Sequence, residues 1–358
     1  HAIARLTAAE CFISKFRIKP ELPADLVRAY QCAVVDVEDF RTGAGGRPPG
    51  GDLALKWRLA LPVVLFHEPV SNRERKGGWA TVEARLALWA SGQRDVLITQ
   101  LMEDIAARSA RSPAPWTAPT EEEVVKQAID LFADNQLTKG TALLESHGLA
   151  DPGGAGVMEE LERRHPRRQR PIPLLQELLP EGVEGRIRVR LGERMRKLPR
   201  RKGKGTRGEA NEHLRALARE IPGGADHAGR AVECMESFAN DYLNGALPAW
   251  FYYAMTAARV VPLRKGATRA DGIRPIAVGE CERRLWWAAV EEEYQDALKA
   301  TVAPHQVAVG VKAGGQKLSA GIRLALEQHP DWVLLKLDIS NFCNEMRRDT
   351  LLRRVAAH

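Results

Sequence analysis

The apolar run "WVLLKLD", from Trp332 to Asp338, ends in a carboxylate. Apolar side chains at nearly every position predict a strand covered on both faces. An acid at the carboxyl end of such a strand can leave the core and face a cleft. Burying a carboxylate is costly unless it is paired or bound to a cation. An arginine partner satisfies it, and so does a metal ion; for an isolated Asp the ion pair is the default. The chain offers little other metal or redox chemistry. Its five cysteines, at 11, 32, 234, 281 and 343, are odd in number, scattered, and form no C-x-x-C pair. The nine histidines make no H-E-x-x-H spacing. A reducing compartment fits this cysteine usage.

The second chemical feature is charge. The 358 residues carry a net +7, with an isoelectric point near 9.2. The excess is concentrated between Arg163 and Arg207, where sixteen Lys or Arg stand against four acids. Such a block creates a strong local positive field, and phosphate backbones are its natural partner. Arg200, Arg201, Lys202 and Lys204 in "RRKGKGTR" are its densest part. A solvated linker carrying a localisation signal explains the same composition. The longest apolar stretch, "LALPVVLF" (Leu59 to Phe66), is far short of the roughly 20 residues of a membrane span.

The elements that must position these groups fall into two kinds. The first half reads as helical: "LKWRLALPVVLF", then "GGWATVEARLALWASGQRDVLITQLMEDIAARSA" as one helix, then "EEEVVKQAIDLFADNQL". Thr120 followed by Glu123 predicts a capping box opening the last of these. "RTGAGGRPPGGDLAL" is a Gly/Pro loop. After the basic block come two helices, "GEANEHLRALAREI" and "AGRAVECMESFANDYLNGAL". "FYYAMTAARVVPLRK" and "IRPIAVGE" follow as strands of a hairpin around "GATRADG". Two more helices, "CERRLWWAAVEEEYQDALKA" and "KLSAGIRLALEQH", flank the Gly-broken turn "PHQVAVGVKAGG" and lead to the opening strand.

Four segments, "GTRGEANEHLRALARE", "VVPLRKGATRADGIRPIAVGE", "PHQVAVGVKAGG" and "LLKLDISNFCNEMRRDTLL", occur in this order. Order and spacing resemble the fingers and first palm strand of reverse transcriptases, most closely those of non-LTR retrotransposons. The resemblance covers roughly Arg200 to the end, under half of the chain. It implies that Asp338 binds the two Mg²⁺ ions, with Mn²⁺ as the alternative, that activate a primer 3′-hydroxyl and neutralise the transferring phosphate. Ile339 would add its backbone carbonyl. Lys265 and Arg274 would close onto an incoming deoxynucleoside triphosphate, assisted by Arg264 and Arg269; the alternative for these residues is a solvated hairpin tip. Gln306 and Gly310 would form a turn gripping template and primer, where an absent side chain lets the backbone approach nucleic acid. Gly314 and Gly315 either share that turn or start the next helix. His213 and Arg215 lie in the segment resembling an early fingers helix, with packing as their default role.

Two departures qualify what the resemblance implies. The family usually carries Phe or Tyr five residues after the motif Asp, to exclude a ribose 2′-hydroxyl; here Cys343 stands there, with Phe342 one place earlier. Either Phe342 substitutes through a shifted backbone, or sugar selection is weakened, or Cys343 fills a small core space in a decayed copy. The paired aspartates that such enzymes carry after this motif are not found in the twenty residues that follow Asp338.

The sequence therefore predicts an α+β protein: a helical N-terminal extension (1–150), a basic connector (151–207), and the fingers with the start of a right-hand polymerase palm (208–358). It starts with His1 and ends in "RRVAAH", and is expected to be an internal piece of a longer, soluble, intracellular protein, nuclear or cytoplasmic, with the nucleus favoured by the resemblance. Expected partners are an RNA template, a DNA primer or target and deoxynucleoside triphosphates, with no membrane. The alternative is a non-catalytic nucleic-acid-binding protein using the basic block and fingers.

Overall fold

The apolar run at Trp57–Phe66 dictates the centre of the first compact unit. It lies in helix α2 (Gly51–Phe66), and each of these ten residues is closed to solvent. A computed structural model describes residues 2–5, 7, 22–46, 48–67, 69, 78–110, 117–165, 186–222, 226–268, 272–307, 309–339 and 341–357. Two compact units divide the chain, one of residues 1–158 and 187–286, the other of 159–186 and 287–358.

In the first unit, α1 (Ala24–Thr42) lies against α2. It buries Val27, Tyr30, Val34 and Val37, spaced three or four residues apart, and ends at Gly43, whose φ of +73° gives a left-handed cap. Helices α3 (Trp79–Ala90) and α4 (Arg94–Ser109) pack together, and Trp89 meets Trp57 edge-on at 5.1 Å. They were expected as one helix. Gly92, with φ +76°, and Ser91 break it, because the left-handed turn they form ends one helix and lets the next start in a new direction. Helix α5 (Glu121–Ala133) opens with the expected capping box, Thr120 accepting from the Glu123 N–H while the Glu123 carboxylate accepts from the Thr120 N–H. Helix α6 (Leu137–Leu144) pairs with it. Helix α7 (Val157–Arg164) follows, its residues from Glu159 onward belonging to the second unit.

The remainder of this unit contains α8 (Gly192–Lys197), α9 (Asn211–Leu217), α10 (His227–Leu243) and α11 (Ala249–Thr256). Helix α10 lays Met235, Phe238, Ala239 and Tyr242 into the core and packs on α1. The first part of "FYYAMTAARVV" is helix α11 rather than strand. Phe251, Ala254 and Met255 are buried at helical spacing, which outweighs the β preference of the aromatic residues. The strand starts at Ala258: β1 (Ala258–Arg264) pairs antiparallel with β2 (Ile273–Gly279), as expected for a hairpin. Helix α12 (Cys281–Glu293) begins directly after it.

The second unit takes the end of α12, then α13 (Gln295–Val302), α14 (Gly314–Gln328), α15 (Phe342–Glu345) and α16 (Arg348–Ala356). Gly314 starts α14, one of the two roles left open for it. The chain is thus mostly helical with one small antiparallel sheet among the described residues, an α+β composition. The predicted palm strand is not formed. Residues 332–339 belong to no strand or helix, with Val333 91% and Leu337 80% exposed. A strand of this composition needs neighbours on both edges and both faces, and the only sheet among the described residues is the distant-in-sequence hairpin. No described helix is long and apolar enough to cross a membrane.

Candidate nucleic-acid interface

The hairpin register settles which of its basic side chains act together. Leu263 faces Arg274 across the ladder, and the Lys265 N–H donates to Gly272 O at 3.1 Å. Side chains alternate along a strand, so Lys265, Leu263 and Arg274 share a face and Lys265 is a diagonal neighbour of Arg274. Arg259 and Val278, opposite one another, belong to the same face. Arg264 faces Ile273 on the other side, apart from the pair it was expected to assist. Arg269 lies outside the described residues. Lys265, Arg274 and Arg259 are exposed. The free edge of β1 is not open: Gly148 O accepts from the Arg264 N–H at 3.0 Å, and the Ala150 N–H donates to Pro262 O at 2.9 Å.

The basic segment runs along that face. Gly203 sits against Val278, where a Cβ would come within 3.1 Å of the valine. Lys204 feels the charge of Arg259; burial, the larger effect, lowers its ammonium pKa, with Glu212 opposing. Arg201 faces away from this role, because its guanidinium is paired with Asp134 at 3.0 Å and with Asp130 on α5 at 2.5 Å. Its neighbour Arg200 offers its carbonyl to Gln136 Nε2 at 3.3 Å. Lys202 stands beside Lys139 of α6 and near Arg284 of α12. The contact with Lys139, then burial, then the charge of Arg284 lowers its pKa to about 8. Further back in the basic block, residues 187–191 are extended along α10. Val189 N donates to Asn240 Oδ1 at 2.9 Å and Leu191 N to Glu236 Oε1 at 2.6 Å, while Asn244 exchanges bonds of 2.8 and 2.7 Å with Ile187. Val189 and Leu191 point in, so Arg188 and Arg190 point out.

The acidic part of the expected site is sparser. Asp338 and Ile339 are exposed on the unpaired segment. After them Asn341, with φ +55°, caps α15, donates to Arg164 O at 3.2 Å and donates to Glu345 Oε1 at 2.9 Å. Phe342 is 47% exposed, and the Cys343 side chain lies outside the described residues. Asp349 pairs with Arg347 at 3.0 Å. Mg²⁺ prefers six oxygens in octahedral array, of which Asp338 and the Ile339 carbonyl could supply two. Among the described residues no three His, Cys, Asp or Glu side chains are grouped to hold an ion. Gly310 has φ +65°, and the space where its Cβ would stand is taken by Lys299 Cβ at 3.3 Å and Gln295 Cγ at 3.4 Å. Its missing side chain thus serves packing on α13. The Gln306 N–H continues the last turn of that helix, donating to Val302 O at 3.0 Å.

What fixes the hairpin and the basic segment is a buried ionic cluster. Arg58, Arg207, Glu209, Glu280 and Glu282 are all closed to solvent. Glu280 follows β2; its Oε1 accepts from Thr206 Oγ1 at 2.6 Å and from the Arg207 N–H at 3.1 Å, and its Oε2 from Arg207 Nε at 3.3 Å. One carboxylate therefore ties the base of the hairpin to the end of "RRKGKGTR". Glu282 accepts from Arg207 Nη2 at 3.0 Å and from Arg58 Nη2. Glu209 lies 3.4 Å from Arg207 Nη2. Burial first, then the charge of Glu282, pushes its pKa up to about 8 against the pull of Arg207 and Arg58. A protonated Glu209 leaves two cations balanced by two anions. Beside the cluster, His213 stacks on Phe66 at 4.0 Å and accepts from the Ala210 N–H at 3.4 Å. Burial, aided by the charge of Lys204, lowers its pKa to about 3, so the ring is neutral. The sequence signal for this cluster was present in Arg58, the lone cation inside "WRLALPVVLF".

Comparison with protein families, with characterised proteins and with solved structures finds no match to this chain.

Proposed function

We propose that this chain supplies the fingers and early palm of an RNA-directed DNA polymerase, holding a template–primer duplex and an incoming deoxynucleoside triphosphate on the basic face of the β1–β2 hairpin. The observation that carries this reading is the diagonal pairing of Lys265 and Arg274 on one face, with Arg259 further along it. Among the described residues no carboxylate pairs with any of the three, although Arg201 of the basic segment is paired twice. Fixed cations at a hairpin tip can stabilise a triphosphate and its pyrophosphate leaving group without reorganising. Asp338, with the Ile339 carbonyl, would contribute to a Mg²⁺ site; the ion would lower the charge barrier to attack on the α-phosphate. Gln306, Arg200 and Lys204 would contact the nucleic acid. Phe342 and Cys343 would border the sugar.

The test is binding and extension on an RNA template annealed to a DNA primer. The wild type is expected to bind the duplex, to bind deoxynucleoside triphosphate in its presence, and to give no extension above background. K265A/R274A should lose triphosphate binding at least tenfold while R264A keeps it. Equal triphosphate binding by K265A/R274A and wild type removes the reading.

A second reading, a nucleic-acid-binding protein without catalysis, is favoured by the exposed position of Asp338 on an unpaired segment. The two part at D338N. In the polymerase reading Mg²⁺ strengthens triphosphate binding to wild type and not to D338N; in the second it affects neither.

A further inference from the structure

The protein neutralises some of the cations of its basic segment with carboxylates. Arg201 has Asp130 and Asp134, and Arg207 has its three glutamates. Lys139, Lys202 and Arg284 are treated differently. They come from three separate elements, Lys139 and Arg284 are tied to the backbone on either side of Lys202 and lower its ammonium pKa, and among the described residues no carboxylate pairs with any of them. Like charges held together in this way repel, so the arrangement needs a reason.

The three are held in place through polar atoms other than carboxylates. Lys139 Nζ donates to Gln136 Oε1 at 2.6 Å, and the same Gln136 donates through Nε2 to Arg200 O at 3.3 Å. Arg284 Nη2 donates to Gly203 O at 2.6 Å. Gly203 in turn is seated on Val278 of β2. Helix α6, the basic segment and helix α12 are thereby tied together, with Lys139 and Arg284 anchored at Arg200 and Gly203, the residues that flank Lys202. Lys204 and Arg259 continue the positive surface along the hairpin face.

We propose that Lys139, Lys202 and Arg284 form a phosphate seat that receives the backbone of a bound nucleic-acid strand. Two ammonium groups and the free edge of a guanidinium suit the non-bridging oxygens of a phosphodiester. The anion relieves the repulsion that the empty seat carries, and Lys202 becomes fully ammonium when it is filled. Contacts of this kind position a duplex without reading its sequence. The seat rests on the nucleic-acid reading above but uses residues outside the triphosphate-binding pair, so either can fail alone.

The experiment is fluorescence anisotropy of a labelled RNA–DNA duplex with a single-stranded overhang, titrated with wild type, K139A, K202A, R284A and K202R over a range of salt. K56A, which removes the same charge on α2, is the control for net charge. Each alanine variant in the seat is expected to weaken binding about three- to tenfold, independent of sequence, and to lower the slope of log K against log salt by about one. K202R and K56A should follow wild type. If wild type binds the duplex and the three alanine variants match it in affinity and slope, the seat is overturned while the wider nucleic-acid reading stands. Should K56A lose as much as K202A, the effect is one of net charge and the seat is likewise overturned. Wild type that binds no duplex at low salt overturns both.

Discussion

Arg207 Nη1 donates to the backbone carbonyl of Arg58, 3.4 Å away, in the middle of helix α2. That carbonyl would ordinarily accept from the N–H of residue 62, which is a proline and has none. The guanidinium fills the vacancy and also reaches Leu59 O at 3.4 Å. It thereby joins α2, deep in the N-terminal region, to the "TRGE" turn that follows the basic segment. Both arginines converge on Glu282.

The first prediction concerns this junction. R207K keeps the charge but cannot span Glu280, Glu282 and two carbonyls at once. Leaving buried carboxylates unpaired typically costs about 3–5 kcal/mol. Urea denaturation should show a loss of that order, with the m-value unchanged. R196K, an exposed guanidinium paired with Glu220 at 3.5 Å, should stay within about 0.5 kcal/mol of wild type.

The second concerns Glu209. Its folded pKa, near 8, lies above the ordinary carboxyl value of 4.5. Between these values the native state holds a proton that the unfolded chain has released, so Glu209 favours folding below pH 4.5 and that contribution is lost as pH rises to about 8. E209Q keeps the shape and cannot ionise. Its unfolding free energy, measured by denaturant titration at several pH values, should decline less than wild type's between pH 6.5 and 8. An identical decline in both would show that Glu209 is ionised in the native state at neutral pH.

His213 has the opposite sign. Its folded pKa of about 3 is below the ordinary 6.5, so on acidification the unfolded chain takes up a proton that the native ring refuses. Its contribution to stability is complete above pH 6.5 and is lost as pH falls toward 3. H213F retains a ring against Phe66 and should lose less stability than wild type on acidification, though its absolute stability is lowered by the missing acceptor for Ala210 N. Between pH 4.5 and 6.5 Glu209 and His213 oppose each other, so wild type should be flatter there than either variant.

How far these features were legible in the sequence depends on their range. Local signals carried well: the Thr120–Glu123 capping box and the β1–β2 pairing both follow from neighbours a short distance apart in sequence. Period was misread where two signals competed, as in "FYYAM", whose aromatic residues suit a strand and whose spacing buries one side of a helix. Trp332–Leu337 is apolar enough for a central strand, yet composition does not provide the neighbouring strands that would cover it. The cluster joins Arg58 to Arg207 and Glu282, 149 and 224 positions away. Each member alone looks like an ordinary surface charge, apart from Arg58 in its apolar run. The division of the basic segment into paired Arg201 and unpaired Lys202 was likewise invisible, since it depends on which face of α5 lies alongside.

The last prediction turns on Gly205. A Cβ there would stand 2.6 Å from the Glu280 carboxyl carbon and from one of its oxygens, closer than atoms can approach. The side chain in its way is not free to swing aside, because Glu280 is held by Thr206, by the Arg207 N–H and by the Arg207 guanidinium. G205A must therefore move the basic segment off the hairpin base or break the carboxylate's bonds. Overpacking of this kind costs about 1–3 kcal/mol. Pairing it with Glu280→Gln, which also loses charge, would confuse two effects, so the informative partner is G203A. Its Cβ meets only the Val278 side chain, the nearer methyl at 3.1 Å, a contact that a small shift can relieve. Thermal melting should rank wild type and G203A close together and G205A well below. Duplex affinity in low salt should fall for G205A even at temperatures where it remains folded, because Lys202 and Lys204 are carried by the segment that Glu280 anchors.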